Sequence, residues 1–188
     1  MSATHYTITD ASDTDVNDIV SIADQQLGQG YLTPELTLTF LQPPNRCRII
    51  YNQDKQTIAF CIILLLKASE ISTRLGLTTH PLLPAEGMVG VIKTIAVAGP
   101  HQGKGIGRVL VQDAVQFLAG MRVKVFLCPT WKHNETVGLG NILEQSGFHT
   151  LEVIHRYWEK DSLERKYTCP ACGAPPCTCT AVIYARLP

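Results

Sequence analysis

The sequence predicts a single α/β domain of 188 residues built on a mixed β-sheet. Apolar runs of strand length alternate along the chain with runs whose apolar residues recur at helical spacing. Residues 46–51 and 56–67 have a hairpin pattern, whereas residues 90–98 lead through a glycine-rich loop into a helix at 106–121. A hairpin makes antiparallel neighbours and a strand-loop-helix-strand unit makes parallel ones, so a sheet that contains both is mixed.

The first half of the chain is expected to place two helices between its strands. A short strand at 6–9 precedes an amphipathic helix at 16–27, which Gly28 suits as a C-terminal stop. Thr33 can cap a short second helix. The hairpin follows, and residues 68–87 are expected to be irregular.

The second half continues after the glycine-rich loop and its helix. A strand is predicted at 123–127, a helix at 136–145, and two final strands at 148–158 and 181–186. The predicted order is therefore β-α-α-β-β-β-α-β-α-β-β over residues 1–188. One domain suffices, because a chain of this length forms one sizeable core.

The charge balance and the apolar runs exclude several classes of protein. Sixteen basic and sixteen acidic residues leave no global electrostatic attraction to nucleic acid or to an anionic membrane. The longest apolar run, residues 58–66, is shorter than the roughly 18 residues that a membrane-spanning helix needs. The first ten residues lack a basic and an apolar region of the export type. We therefore expect a cytoplasmic protein without nucleic-acid or membrane partners.

The glycine-rich loop is the strongest functional signal in the sequence. Three glycines in five positions let the backbone turn sharply and approach a ligand, where a helix begins and its first N–H groups lack internal partners. These groups and the positive end of the helix dipole favour phosphate, and two basic side chains add charge. The segment comprises Gln102, Gly103, Lys104, Gly105, Ile106, Gly107 and Arg108.

Spacing separates the phosphate-binding patterns that this loop could represent. A Walker A loop fails because Ala98 stands where its first glycine belongs and Gly105 where its hydroxyl belongs. A dinucleotide fingerprint fails because the glycine steps differ and the next strand ends in Cys128-Pro129 instead of an acidic residue. A glycine-rich turn without a ligand is the ordinary alternative.

A strand ending in Ile95-Ala96-Val97, followed by Gln-x-x-Gly-x-Gly, resembles the acetyl-coenzyme A loop of the GNAT superfamily of N-acetyltransferases. The element order resembles the whole GNAT, or acyl-CoA N-acyltransferase, fold. The resemblance implies that the protein transfers an acetyl group from acetyl-CoA to a primary amine, by direct attack in a ternary complex. It leaves open whether the acceptor is a small molecule or a protein amine, and whether the protein forms a homodimer.

Site residues follow from the resemblance position by position. It implies that Ile95, Ala96 and Val97 face the pantetheine arm and the thioester, and that residues 102–108 hold the pyrophosphate. The backbone N–H of Val97 is then expected near the thioester carbonyl in an oxyanion-stabilising role. Asn134 resembles the cofactor-contacting asparagine of the family, although it lies two residues further than usual from the Gly-Phe pair; a capping or turn role is its alternative.

The acid and base positions of the family are not matched. Many relatives have a carboxylate on the fourth strand, but Lys93 and Thr94 occupy its central polar positions here. Glu86 and His133 are the candidate bases, and an ordinary solvated loop position is the alternative for each. Leu143 stands where the family's tyrosine acid is expected. A thiol leaves readily as thiolate, so water or another hydroxyl can replace that acid.

A cysteine cluster near the C-terminus is the second strong signal. Four thiols in eleven positions suit a tetrahedral zinc ion, with iron and metal-free or redox-active thiols as the alternatives. Four protein ligands leave no open position, so we expect a structural ion that stiffens the loop at 169–179 between the last two strands and shapes an acceptor or partner wall. The predicted ligands are Cys169, Cys172, Cys177 and Cys179.

Aromatic residues near two connections are candidate acceptor contacts. Tyr31 lies between the first two helices, a region that resembles the acceptor-binding part of relatives. Tyr157, Trp158 and Tyr167 flank the cysteine loop and serve either sheet packing or acceptor binding. Missing acid and base residues keep a second interpretation open, in which the protein is a non-catalytic acyl-CoA sensor or a zinc-stabilised protein-interaction module.

Overall fold

The computed structural model describes residues 6–77, 80–133 and 136–188. Within these ranges the strands are β1 Ile8–Asp10, β2 Arg46–Tyr51, β3 Thr57–Lys67, β4 Met88–Val97, β5 Phe126–His133, β6 Thr136–Val137, β7 His149–Ile154 and β8 Thr180–Arg186. The α-helices are α1 Val16–Gln26, α2 Pro34–Leu41, α3 Ile71–Leu75, α4 Ile106–Gly120, α5 Gly140–Gln145 and α6 Glu159–Arg165.

The strands form one mixed sheet in the order β1-β2-β3-β4-β5-β8-β7, and β6 pairs with β5 outside this path. Only the β4–β5 contact is parallel in the described part of the chain. That parallel pairing joins Gly90 and Val91 to Phe126 and Leu127 and goes no further. The mixed sheet is therefore confirmed, and its two central strands separate after two residue pairs.

Two apolar layers cover the faces of the sheet. One contains buried residues of α1 and α2, and the other contains those of α4 and α5. The strand β3 lies between them and is buried at all positions except Lys67, which explains its continuous apolar run. Gly90 lets α4 approach β4, because a β-carbon there would lie 2.4 Å from the Leu118 side chain. No helix in the described ranges has the length and apolar character needed to cross a bilayer.

The predicted strand at 123–127 was placed too early. The strand runs from Phe126 to His133. Lys124 and Val125 precede it, and their hydrogen bonds to Met88 and Gly90 begin the contact with β4. Pro129 therefore lies inside β5, although proline has no N–H to donate to a sheet. The strand tolerates it because β4 no longer pairs with β5 at that level.

Two helices lie where the sequence predicted other structure. The helix α3 occupies part of the segment 68–87 that was expected to be irregular, and Gly76 ends it at φ +63°. The predicted strand at 148–158 ends at Ile154, after which α6 begins. The predicted helix at 136–145 starts only at Gly140, because β6 occupies its first positions.

Candidate active site

The gap between β4 and β5 exposes an unpaired strand edge. The amide of Ala98 donates to the carbonyl oxygen of Ile58 on β3 at 2.9 Å. Bonded and non-bonded pairs alternate in an antiparallel ladder, so Ala96 also bonds to β3. The N–H and C=O groups of Ile95 and Val97 therefore point away from β3. The two Ile95 groups and the Val97 N–H face the gap, whereas the Val97 carbonyl accepts a hydrogen bond from the Gln102 side chain. An extended ligand can pair with this edge as an additional strand.

Gln102 fixes the turn that follows β4. Its side-chain amide donates to the carbonyl oxygen of Val97 at 3.0 Å and to Oε1 of Gln26 at 2.7 Å. The side chain is thus engaged by the protein itself, and it orients the loop from the end of β4. This position was predicted as a cofactor contact, and the bonds show that its side chain positions the turn.

The glycine loop has the backbone geometry that its composition predicts. Gly103 and Gly105 have φ values of +73° and +80°, and a β-carbon on either would meet no atom within 4 Å. Gly105 caps α4, whose first N–H groups have no partner within the helix. Lys104 and Arg108 are exposed beside these groups, whereas the Ile106 side chain is buried in the core. The loop therefore offers open space, free donors and positive charge together.

A β-bulge in β4 places two consecutive side chains on one face. The pairing with β3 skips Lys93, so that Lys93 and Thr94 both turn toward Tyr31. The Lys93 ammonium lies 5.6 Å from the ring centroid of Tyr31 and 5.7 Å from that of Phe40. The hydroxyl oxygens of Thr94 and Tyr31 are 3.5 Å apart. Only the register of the sheet reveals this bulge, which the sequence analysis missed.

A cavity of about 210 Å³ opens beside this bulge, between β4, β5, the α1–α2 connection and the cysteine loop. Its walls are largely apolar. Among the described residues that line it, Lys93 is the one whose side chain is an ammonium or a carboxylate. The ring of Tyr157 packs edge to face against the ring of Trp158, with the two centroids 4.8 Å apart. The aromatic lining side chains are Tyr31, Trp131, Trp158 and Tyr167.

The cysteine cluster borders the same cavity. Its four sulfur atoms lie within 4.8 Å of one another, and Cys179 Sγ is 3.6 Å from Cys169 Sγ and 3.4 Å from Cys172 Sγ. Tetrahedral zinc with Zn–S bonds of about 2.3 Å requires sulfur separations of roughly 3.8 Å. Cys169 and Gly173 exchange backbone hydrogen bonds of 2.8 Å, which close the turn between the ligands. The predicted cluster is confirmed, and its donor set fits a structural zinc ion.

The helix α6 supports the cavity from outside and was not predicted. Its Arg165 stacks over the rings of Tyr31 and Tyr167, at 5.7 and 5.1 Å from their centroids. The same guanidinium donates to the Tyr31 carbonyl oxygen and pairs with Asp161 one turn earlier at 3.0 Å. Burial, with the nearby charge of Asp161, raises the pKa of Tyr167 and keeps it protonated. The i, i+4 spacing of Asp161 and Arg165 was the available sequence signal for this helix.

The candidate acid and base positions are dispersed. Glu86 is exposed and lies two residues before β4 begins, and the strand from Met88 to Val97 alone spans roughly 30 Å at about 3.3 Å per residue. His133 is the last residue of β5. Asn134 lies outside the described residues. Leu143 is fully buried in the apolar layer and brings no acid to the site.

A mixed sheet whose two parallel strands splay beside a glycine-rich helix start defines an acyl-CoA N-acyltransferase fold. Residues 16–137 match the acetyltransferase (GNAT) family, and the chain belongs to this family. It is accordingly an acetyl-CoA-dependent N-acetyltransferase. No curated relative matches the sequence at a significant level.

Solved structures with the same fold span almost the whole chain. The NAA60 structure from Arabidopsis thaliana in complex with acetyl-CoA has a TM-score of 0.72 at 14% identity, and the alignment covers 97% of this chain and 98% of that one. The ribosomal-protein-S18-alanine N-acetyltransferase of Escherichia coli has a TM-score of 0.67 at 16% identity, with 97% and 94% covered. A phosphinothricin acetyltransferase from Sinorhizobium meliloti in complex with AcCoA has a TM-score of 0.66 at 13% identity, with 97% and 88% covered.

Proposed function

We propose that the protein transfers the acetyl group of acetyl-CoA to a primary amine held in the cavity beside β4, by direct attack in a ternary complex. The observation that supports this most is the open edge formed by the Ile95 backbone and the Val97 N–H, which lies between the glycine loop and the aromatic cavity. A donor bound along that edge and an acceptor bound in the cavity would meet without a covalent enzyme intermediate.

The donor would extend from the glycine loop into the gap. The free N–H groups at the start of α4 would receive the pyrophosphate, with Lys104 and Arg108 supplying positive charge. The amide-containing pantetheine arm would pair with the open edge at Ile95 and Val97. Ala96 contributes less to this surface, because its backbone bonds to β3 and its side chain is buried.

The backbone N–H of Val97 is the proposed donor to the thioester oxygen, and the parallel N–H of Ile95 points to the same gap. A fixed donor aimed at the developing oxyanion stabilises the transition state without reorganisation. The coenzyme A thiol then leaves as thiolate, because an alkyl thiol, with a pKa of about 8.5 in free cysteine, is a better leaving group than an amine or an alkoxide. His133, the last residue of β5, remains a candidate base, whereas the position of Glu86 argues against Glu86 in that role.

We also propose that the four cysteines bind a structural zinc ion. The zinc ion would cross-link the loop at 169–179, which belongs to the same domain as the active site. Cys169, Pro170 and Cys177 line the cavity, so the ion would shape a wall of the acceptor site. It would not enter the chemistry, because four thiolates fill its coordination sphere.

The test is a pair of measurements on zinc-replete protein. Calorimetry with acetyl-CoA should show one site per chain, and release of free thiol should depend on an added primary amine. Tight acetyl-CoA binding without thiol release for any amine in a broad library would instead support the acyl-CoA sensor. The fold leaves the acceptor open, because the similar structures include enzymes named for a ribosomal-protein alanine and for phosphinothricin.

A further inference from the structure

We propose that the acceptor is a small apolar amine that carries a carboxylate, of which an apolar α-amino acid is the simplest form, and that Lys93 binds this carboxylate. The inference rests on the proposed acetyl transfer and assigns the acceptor of that same site. It depends on the size of the cavity, on the chemistry of its walls and on the position of one ammonium group.

The cavity suits a small and largely apolar molecule. Its volume of about 210 Å³ is below the roughly 300 Å³ at which ordinary ligand sites begin. Indole and phenol rings form much of the wall, at Trp131, Trp158, Tyr31 and Tyr167. Such rings bind an apolar side chain through buried area and ring contacts.

The charge of the walls disfavours a polycationic acceptor. The described lining residues include no aspartate or glutamate that could pair with a second ammonium group. The thiolates of Cys169 and Cys177 are the other source of negative charge there, and zinc binding would engage them. A polyamine would therefore enter a space whose one side-chain ammonium, that of Lys93, repels it.

Lys93 is placed to receive an anion. Its side chain is half-buried, and its ammonium makes ring contacts with Tyr31 and Phe40 but no hydrogen bond or ion pair with the described residues. A partly desolvated ammonium is stabilised strongly by a charge-assisted bond to a carboxylate. The β-bulge holds it on the cavity side of β4, next to Thr94.

The same charge would assist the reaction. A cation near the acceptor nitrogen disfavours its protonated form, and only the neutral amine attacks the thioester. Lys93 would thus favour the neutral form of the acceptor amine, which a carboxylate base helps to produce in many relatives. It is a specificity residue in this proposal, because it contacts the acceptor's carboxylate and not the reacting atoms.

The experiment compares four amines in the thiol-release assay with zinc-replete protein. L-phenylalanine carries the carboxylate, L-phenylalaninamide and phenethylamine lack it, and spermidine is a polycation. The amide is the better nucleophile at neutral pH because its amine is less protonated. We nevertheless expect kcat/KM for phenylalanine to be at least about tenfold higher, the effect of one charge-assisted bond.

Variants at Lys93 test the assigned contact. Lys93→Met should raise KM for phenylalanine about tenfold or more and leave KM for phenylalaninamide unchanged, whereas Lys93→Arg should retain the preference for the acid. Lys124→Met removes an exposed lysine outside the cavity and should change neither value. Thermal unfolding and acetyl-CoA binding verify that each variant is folded.

The outcomes separate this inference from the proposed function. Preferred turnover of spermidine, or equal turnover of phenylalanine and its amide, would overturn the acceptor class while leaving acetyl transfer intact. An unchanged preference in Lys93→Met would overturn the role of that residue. If no amine is acetylated, the proposed function fails, and calorimetry of phenylalanine against its amide in the presence of coenzyme A still tests the site; equal or absent binding would contradict it.

Discussion

A β-carbon on Gly28 would lie 1.9 Å from the carbonyl oxygen of Thr168, so the turn after α1 and the segment entering the cysteine loop meet backbone against backbone. Hydrogen bonds join the same segments, from Gln29 N to Thr168 Oγ1 at 2.9 Å and from Thr168 N to the Gln29 carbonyl at 3.0 Å. Tyr31 and Tyr167 extend from them and contact edge to face at 5.3 Å. The cysteine loop is therefore coupled to the opposite wall of the cavity.

Gly28→Ala should test this coupling. The residue has φ +116°, and the new methyl group meets rigid backbone, so we expect the free energy of unfolding to fall by about 3 kcal/mol. Gly76→Ala is the control, because its φ is +63° but no atom lies within 4 Å; it should cost only about 1–2 kcal/mol. Urea denaturation measures both, and equal losses would contradict the close contact.

Gly105→Glu should abolish much of the coenzyme A affinity. The substitution adds bulk and negative charge where the pyrophosphate is proposed to bind, and we expect the Kd for coenzyme A to rise by about ten- to a hundredfold. Gly76→Glu matches it in backbone strain, since both glycines have positive φ and open surroundings. If the two folded variants bind coenzyme A equally well in calorimetry, the loop assignment is wrong.

Val97→Pro should remove an N–H from the gap while preserving the ladder to β3. We expect kcat to fall by about 10²–10³, the effect of losing one oxyanion donor, with a smaller change in the Kd for acetyl-CoA. Ala96→Pro is the control. The N–H of Ala96 bonds to β3, so removing that N–H should destabilise the fold. Unaltered kcat in a folded Val97→Pro protein would remove this group from the mechanism.

Zinc binding should require the predicted cysteine ligands. The wild-type protein should contain one zinc per chain, and Cys172→Ser should lower that content and the thermal stability together. Cys128→Ala alters a buried cysteine outside the cluster and should retain one zinc. Atomic absorption measures the metal; less than one equivalent in zinc-replete wild-type protein would exclude the structural ion.

Acid stability should depend on Asp15. Burial raises the pKa of this carboxylate, but bonds from Tyr51 at 2.7 Å and from the Ser12 amide and hydroxyl at 2.8 Å outweigh it, so the pKa is lowered on folding. Its contribution is therefore complete above the unfolded pKa of about 3.9 and lost as the pH falls through the folded pKa. Asp15→Asn should cost about 1–3 kcal/mol at pH 7.

The cost of Asp15→Asn should shrink when urea unfolding is repeated near pH 3, because the Asp15 carboxylate of the unfolded wild-type chain then binds a proton and the unfolded state is stabilised. Asp13→Asn changes an exposed carboxylate in the same turn and should cost little at either pH. A cost for Asp15→Asn that grows as the pH falls would reverse the sign of this linkage and contradict the argument.

The sequence analysis missed the helix α6, the bounds of β5 and the bulge in β4 because no local pattern in the sequence marks them. Ser162 is the one buried residue of α6, and Leu163 is exposed, so no apolar stripe marks this helix in the sequence. The bounds of β5 depended on where it pairs with β4 and β8, and the bulge at Lys93 depended on the register with β3. Neither property has a local signature, because both arise from the partner strand.

By itself, the sequence determined the mixed sheet, the glycine loop and the four-cysteine cluster, because each is encoded in a periodic run or in 7 to 11 contiguous positions. Tertiary structure decided the cavity beside β4. Tyr31, Lys93, Trp131 and Tyr167 lie far apart in the chain and converge only when β4 and β5 separate and the cysteine loop docks on the α1–α2 turn. Local patterns specify backbone conformation and ligand spacing, whereas a cavity exists only between packed elements.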